Sequence, residues 1–318
     1  MSKRKWAVIA IGGNSLIKDK DHQTVEEQYR AAGETARHIA RMIAAGWNVT
    51  VAHGNGPQVG FILRRSEIAA KAAGMHEVPM DVCGADSQGA IGYALQQNLH
   101  NELAHLGISK SVATIVTQVL VDRDDPSFRN PSKPIGGFMD EAEARKRQSE
   151  DGWSVVEDAG RGWRRVVPSP IPRKIVELEV IQAMMHAGIV VISTGGGGIP
   201  VVENEAGDYS GIAAVIDKDH ASALLASEIK ADLFLISTAV EKVYLNYRKP
   251  DQRGLDVLTV AEARELIAHD QFAKGSMLPK IQACIHFLEA GGKTALITDP
   301  EHIMDALDGR TGTRLMRG

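Results

Sequence analysis

The 318-residue sequence predicts an α/β fold: a mainly parallel sheet covered by helices on both faces. Three observations lead there. Short apolar, β-rich runs alternate with stretches whose apolar residues recur at helical spacing, the signature of βα units. Apolar residues make up 44% of the chain, enough for one large α/β domain or two lobes. Three of the apolar runs stop at glycine, at Gly12-Gly13, Gly54-Asn55-Gly56 and Gly195–Gly198, where parallel strands commonly present ligand-binding loops.

The elements follow in order. Trp6–Ile11 reads as a first strand, stopped by Gly12-Gly13-Asn14. Thr24-Val25-Glu26-Glu27 has the capping-box pattern. The helix it opens carries Tyr29, Ala32, Ala36, Ile39 and Ile43 on one face and ends near Gly46. Asn48–Ala52 is the next strand, stopped by His53-Gly54-Asn55-Gly56-Pro57. Ile91, Leu95, Leu99, Leu103 and Leu106 mark a long helix closed by Gly107. Val112–Val121 reads as a single strand, Val176–Met185 as a helix and Ile189–Ser193 as a strand. Between about Asp122 and Pro170 the rhythm breaks. Five prolines, charged runs, Trp153 and Trp163 mark a small inserted subdomain rather than a disordered loop. The alternation then resumes with a strand over Ala213–Asp217 and a helix near Ala221–Ile229. A strand at Leu233–Ser237, helices over Val260–His269 and Pro279–Ala290, and a strand at Thr294–Thr298 complete it.

Composition excludes several functions. A net charge of −4 leaves no basic excess to neutralise a nucleic acid, so an anionic ligand must be held by a few local lysines. No apolar run approaches the roughly 20 residues of a membrane span. The basic start Met1–Lys5 precedes an apolar stretch too short for a signal peptide. Cys83 and Cys284 lie far apart in sequence with no second Cys near either and read as buried thiols of a cytoplasmic protein. The 11 histidines show no metal-ligand spacing.

Glycine at a strand end lets backbone N–H groups approach a phosphate, often beside a helix N-terminus. Three such loops point to a phosphate-binding site. The common alternatives fail. Gly292-Lys293-Thr294 has Phe287 where a P-loop requires glycine, and it precedes a strand. The run Gly195–Pro200 lacks the third glycine of a dinucleotide fingerprint and places a proline where a helix should continue, which disfavours hydride transfer. No kinase-type catalytic loop and no nucleophile elbow is present.

Longer motifs are more specific. Ala10–Ser15, His53–Gly60, Ser87-Gln88-Gly89, Asn130–Gly136, Glu157–Arg164, Val166–Pro170, Gly195–Pro200, Val215–Asp219 and Gly275–Lys280 occur in this order. Together they resemble the carbamate kinases of the amino acid kinase superfamily over nearly the whole chain. The resemblance implies an open three-layer αβα sandwich with a protruding lid subdomain at about residues 122–170. It implies a first lobe, residues 1–212, for carbamate or carbamoyl phosphate, a nucleotide lobe, residues 213–318, and a homodimer. The implied reaction is ATP plus carbamate giving ADP plus carbamoyl phosphate, with Mg²⁺ accompanying the nucleotide.

The same resemblance assigns candidate residues. Lys218 is expected on the transferring phosphoryl group, Asp219 to orient lysines, and Lys280 on nucleotide phosphates. Gly12, Gly13 and Asn14 are expected to cradle phosphoryl oxygens, and Gly54 and Asn55 to meet carbamate, with Gly195, Gly196 and Gly197 nearby. Asp217 is a candidate for water-mediated Mg²⁺ contact, and Tyr244 and Met277 are candidates beside adenine. Arg161 and Arg164 either reach the site or brace the subdomain. Many superfamily kinases carry a lysine two residues before the first Gly-Gly. Here that position is Ala10, and the family pattern moves the role to Lys133 of the inserted subdomain. Lysines suit this chemistry because phosphoryl transfer is catalysed mainly by positioning and charge stabilisation. Two other readings stay open at this stage: a same-fold kinase for another small carboxylate or phosphonate, and a catalytically idle nucleotide sensor.

Overall fold

A computed structural model describes residues 5–12, 16–17, 23–157, 162–273 and 275–318. In chain order the first part contains β1 (Lys5–Ile11), α1 (Val25–Ala44), β2 (Trp47–His53), α2 (Gly56–Ala73), α3 (Met80–His105), β3 (Val112–Thr114) and β4 (Gln118–Val121). The insertion follows as β5 (Lys133–Met139), α4 (Glu141–Glu150), β6 (Ser154–Glu157) and β7 (Trp163–Val167). Then come β8 (Pro172–Ile175), α5 (Leu178–His186), β9 (Val190–Ile192), β10 (Ile199–Glu203), β11 (Tyr209–Gly211), α6 (Lys218–Glu228) and β12 (Leu233–Ser237). The chain ends with β13 (Val243–Leu245), β14 (Arg253–Leu255), β15 (Val257–Thr259), α7 (Val260–Ala268), α8 (Met277–Glu289), β16 (Thr294–Thr298), α9 (Ile303–Leu307) and β17 (Thr313–Met316).

Among the described residues, eight strands form the central sheet in the order β15-β17-β16-β12-β1-β2-β9-β3. All its pairings are parallel except β16 with β17. Alternate residues of β1 serve opposite cores, as the two-residue period of a strand requires. Val8 and Ala10 face Leu225 of α6 and Ile281 and Phe287 of α8. Ala7, Ile9 and Ile11 face Ile39 and Ile43 of α1 and Leu95 and Leu99 of α3. Each fully buried Leu, Ile or Phe contributes roughly 1.5–3 kcal/mol, so both cores hold the sheet between helical layers. The expected αβα sandwich is observed. The insertion is a separate three-stranded sheet, β5-β7-β6, carrying α4.

Local signals explain several boundaries. Thr24 and Glu27 form both arms of the capping box that starts α1. Gly46, at φ +91, follows its last turn. Other boundaries correct the sequence reading. Helix α2 carried no recognised signal, although Pro57 sits in its first turn, and α3 begins well before Ile91. The expected strand Val112–Val121 is two strands in different sheets. The buried side chain of Gln88 takes both backbone groups of Thr117, bonding its N–H at 2.8 Å and its carbonyl at 3.0 Å. The Thr117 N–H is thereby withdrawn from any ladder, while its carbonyl also accepts from Ile199 N–H at 2.8 Å, and the chain passes into the β4–β10 pairing. The expected strand Ala213–Asp217 is a loop. Its apolar run is accounted for by burial of Ala214, Val215 and Ile216. Among the backbone bonds outside regular elements, it contributes Val215 N–H to the Pro168 carbonyl at 3.0 Å. The helix that follows begins directly at Lys218.

Candidate active site

Helix α6 opens at the carboxyl end of the sheet, and its cap organises the site. Asp217 is the N-cap; its Oδ1 accepts from the N–H groups of Asp219 at 2.9 Å and His220 at 3.4 Å. Its other oxygen, Oδ2, accepts from Lys133 of the insertion. Asp219, two residues on, divides its carboxylate between two lysines. Lys218 Nζ donates to Oδ1 at 2.5 Å and Lys280 Nζ, from the first turn of α8, donates to Oδ2 at 2.9 Å. The side chains of Lys218, Asp219 and Lys280 are 11%, 4% and 12% exposed. Charged side chains from the insertion and two helix N-termini thus form one cluster.

Burial and mutual charge set their protonation. Burial pulls the Lys218 ammonium down to about 8, reinforced by Lys280 and resisted by Asp219. Burial also opposes charge on Lys280, but Asp219 outweighs it and holds Lys280 above its ordinary value. Burial pushes Asp219 upward, and the two lysines override it and keep the carboxyl below its usual range. Asp217 behaves alike: burial raises it, and Lys133, with His220 and Lys218, holds it well below the carboxylate range. His53, buried beside this cluster, is depressed to about 4 by burial, against its contact with the Gly54 carbonyl, and further by Lys218. It is neutral at pH 7 and adds no charge.

The cluster walls a cavity of about 240 Å³ lined also by Gly12, Thr238, Gly275, Ser276 and Pro279. A second, more apolar cavity of about 220 Å³ adjoins it, lined by Val240, Tyr244, Tyr247, Phe272, Ala273 and Met277. The two share Thr238, Ala239, Ser276 and Lys280. The N-termini of α6 and α8 both open here, which favours negative charge in the polar cavity.

The sequence-expected residues thus fall into groups. Gly12, Lys133, Asp217, Lys218, Asp219 and Lys280 line the polar cavity. Tyr244 and Met277 line the apolar one. Gly13 and Asn14 lie outside the described residues, as does Arg161. Gly12 donates its N–H to the Ser237 carbonyl at 2.9 Å and Gly54 donates to the Ile11 carbonyl at 3.1 Å. Those amides are committed to backbone pairing. At Gly12 a Cβ would sit 3.0 Å from the Ser237 oxygen, so the bare residue lets the first turn pass low over β12. Arg164 braces the insertion: its Nη2 donates to the Gly136 carbonyl at 2.9 Å and its guanidinium stacks on Phe138.

Gly195, Gly196 and Gly197 form a buried 3-10 turn behind Asn55. A Cβ on Gly196, at φ +65, would lie 2.0 Å from Asn55 Nδ2, so the close approach requires glycine. Two residues that sequence reasoning left without a role hold this block. Ser87 Oγ accepts from Asn55 Nδ2 at 2.7 Å and donates to the Gly84 carbonyl at 2.7 Å. Gln88 Nε2, besides its bond to Thr117, donates to the Gly195 carbonyl at 2.9 Å. Polar residues on a long helix carry no periodic signal, so only their place in a matched motif distinguished them.

Comparison with known proteins agrees with this geometry. Residues 5–299 match the amino acid kinase family. The chain is 49% identical to a carbamate kinase of Thermococcus kodakarensis, covering 98% of this chain and 99% of that one. It is equally similar, 49%, to the carbamate kinase-like protein YahI of Escherichia coli, covering 99% of each. A solved carbamate kinase from Giardia lamblia bound to AMP-PNP superposes with a TM-score of 0.91 at 41% identity, covering 100% of both chains. With the αβα sandwich, the inserted subdomain and the lysine-aspartate cluster, these likenesses establish that the chain belongs to the amino acid kinase family, in its carbamate kinase branch.

Proposed function

We propose that this protein catalyses reversible phosphoryl transfer, ATP plus carbamate giving ADP plus carbamoyl phosphate. The observation that carries the reading is the meeting of Lys133, from the insertion, with Asp217, Lys218, Asp219 and Lys280 at one cavity. In this reading residues 213–318 hold the nucleotide. The apolar cavity takes adenine against Tyr244 and Met277, and the phosphates extend to Lys280 and Lys218. The first lobe brings carbamate toward the Gly54-Asn55 strand end, and the insertion acts as a lid that delivers Lys133. Carbamate and ATP are both anions, and unit charges about 4 Å apart at an effective dielectric of about 20 interact by about 4 kcal/mol. Three cations offset that repulsion and stabilise charge on the transferring group. Asp219 holds two of them in place without reaching the substrate.

Mg²⁺ is part of the nucleotide substrate here. Among the described residues no three His, Cys, Asp or Glu converge on a metal position. The carboxylate oxygens of Asp217 and Asp219 are bonded to lysines and helix N–H groups, so the ion would be held by phosphates and water. The reading extends to a cytoplasmic homodimer. Supporting observations are the buried free thiols of Cys83 and Cys284 and the exposed Val82 and Tyr93 on α3. No helix among the described residues is long and apolar enough to cross a membrane. The test is ATP formation from ADP and carbamoyl phosphate. Wild type is expected to turn over, and Lys133→Ala to lose at least about 100-fold in kcat, the scale for one donor to the transition state. An inactive wild type defeats the assignment; an unimpaired Lys133→Ala defeats the lid lysine's role.

A further inference from the structure

Two glycines of the matched motifs, Gly60 and Gly136, take no part in the cavity, yet they touch each other. Gly60 is buried on α2, and Gly136, at φ +69, lies in β5 of the insertion. A Cβ on Gly60 would sit 2.0 Å from Gly136 Cα and 2.3 Å from its N. Both obstructing atoms are backbone, so no side chain can swing aside. Strand β5 therefore crosses α2 in direct backbone contact, with Lys133 three residues before the crossing.

The surroundings make this crossing a seat for the lid. Val59 and Leu63 of α2, Ile135 of β5, Val167 of β7 and Val215 form one small buried core with Cys83. Ile135 follows Lys133 by two residues, and Val215 precedes Asp217 by two. The core thus joins both ends of the Lys133–Asp217 contact to α2. Farther along α2, Glu67 Oε1 accepts from Arg165 of β7 at 3.2 Å, tying a second lid strand to the same helix.

We infer that Gly60 is a positioning residue for phosphoryl transfer: its missing side chain sets the depth at which the lid strand seats, and so the reach of Lys133 into the cavity. The inference rests on the function proposed above. Adding a methyl group at Gly60 requires β5 to withdraw by about 1.4 Å to restore an ordinary 3.4 Å contact. Misplacement on the 1 Å scale costs catalysis up to about 100-fold.

The experiment is a cycle of Gly60→Ala, Lys133→Ala and the double variant, assayed for ATP formation. Gly137→Ala is the control, because a Cβ there meets nothing within 4 Å. Gly60→Ala is expected to lower kcat about 10- to 100-fold with the KM for ADP changed less than threefold. Gly137→Ala should match wild type. In the Lys133→Ala background, Gly60→Ala should add less than a threefold loss, because the group it displaces is gone. A kcat within threefold of wild type, or a full loss repeated in the Lys133→Ala background, overturns the inference. Limited proteolysis of the lid segment 140–157 reads the seat without turnover. Faster cleavage of Gly60→Ala than of Gly137→Ala is expected, and equal rates overturn the inference even if wild type proves inactive in the assay. If Gly60→Ala does not fold, Glu67→Gln, which weakens the Arg165 tie, should give the same pattern in smaller measure; unchanged kcat and cleavage there overturn it.

Discussion

Replacing Asp219 by asparagine removes the one charge that two buried lysines share while nearly preserving volume. In wild type, burial and Lys280 depress Lys218 to about 8 and Asp219 resists. In the proposed mechanism Lys218 serves as a cation, so activity belongs to its protonated form, present below that value and lost as pH rises through it. The alkaline limb of kcat/KM, which reports the free enzyme, is therefore expected near pH 8. With a neutral amide in place of the carboxylate, only the lowering influences stay strong. The lost attraction, about 4 kcal/mol for unit charges about 4 Å apart at an effective dielectric of about 20, is worth nearly 3 pKa units at about 1.4 kcal/mol each. Asp217 and relaxation recover part of it, so the limb should move down by at least about one unit, to about pH 7 or lower. The assay is initial-rate ATP formation from ADP and carbamoyl phosphate between pH 5.5 and 9. Asp219→Asn should lose at least about threefold in kcat/KM at pH 7.5 and visibly less at pH 6. A limb that stays near pH 8, or moves upward, refutes the assignment of Asp219 as the support of Lys218.

Other outcomes follow from the same geometry. Asp217→Asn keeps an N-cap, since asparagine caps about as well as aspartate, but loses the charge opposite Lys133; cleavage of the 140–157 segment should quicken severalfold. Because the Asp217 carboxyl is held below its usual range, the stability it contributes is complete above about pH 4 and lost as pH falls through its folded value. The melting difference between wild type and Asp217→Asn should therefore shrink under acid. Gly196→Ala forces a side chain at φ +65 against Asn55 and should destabilise by about 2 kcal/mol or more, read as a lowered Tm. Tyr244→Ala combined with Met277→Ala should raise the KM for ADP about tenfold with kcat within threefold, the signature of lost uniform binding.

Much of the fold was legible where periodicity is strong. Strands Leu233–Ser237 and Thr294–Thr298 match their expected ends, and the capping box located α1. The errors occur where tertiary contacts override local pattern. An apolar run such as Ala213–Asp217 reads identically whether it is paired in a sheet or packed as a loop. Nothing in the local sequence around Val112–Val121 reveals that Gln88, 29 positions before Thr117, takes up the Thr117 N–H between the two strands. Helix α2 hides its signal because its motif reads as a glycine loop and its buried face meets the insertion rather than the main sheet.

The sequence by itself determined the α/β class and the glycine-terminated strands, which are properties of residue type and spacing and survive without coordinates; its resemblance to the carbamate kinases pointed to a lysine set in which Lys133 stands in for the lysine missing at Ala10. Only the tertiary structure decided how the charges are used. Asp217 turns out to hold Lys133 of the insertion and cap α6 at once, and Asp219 to divide its two oxygens between Lys218 and Lys280. Lys218 becomes an easily deprotonated cation because burial, which no local pattern encodes, removes water from it. The backbone contact of Gly60 with Gly136 is likewise invisible in sequence, since it depends on two segments 76 positions apart meeting with no side chain between them.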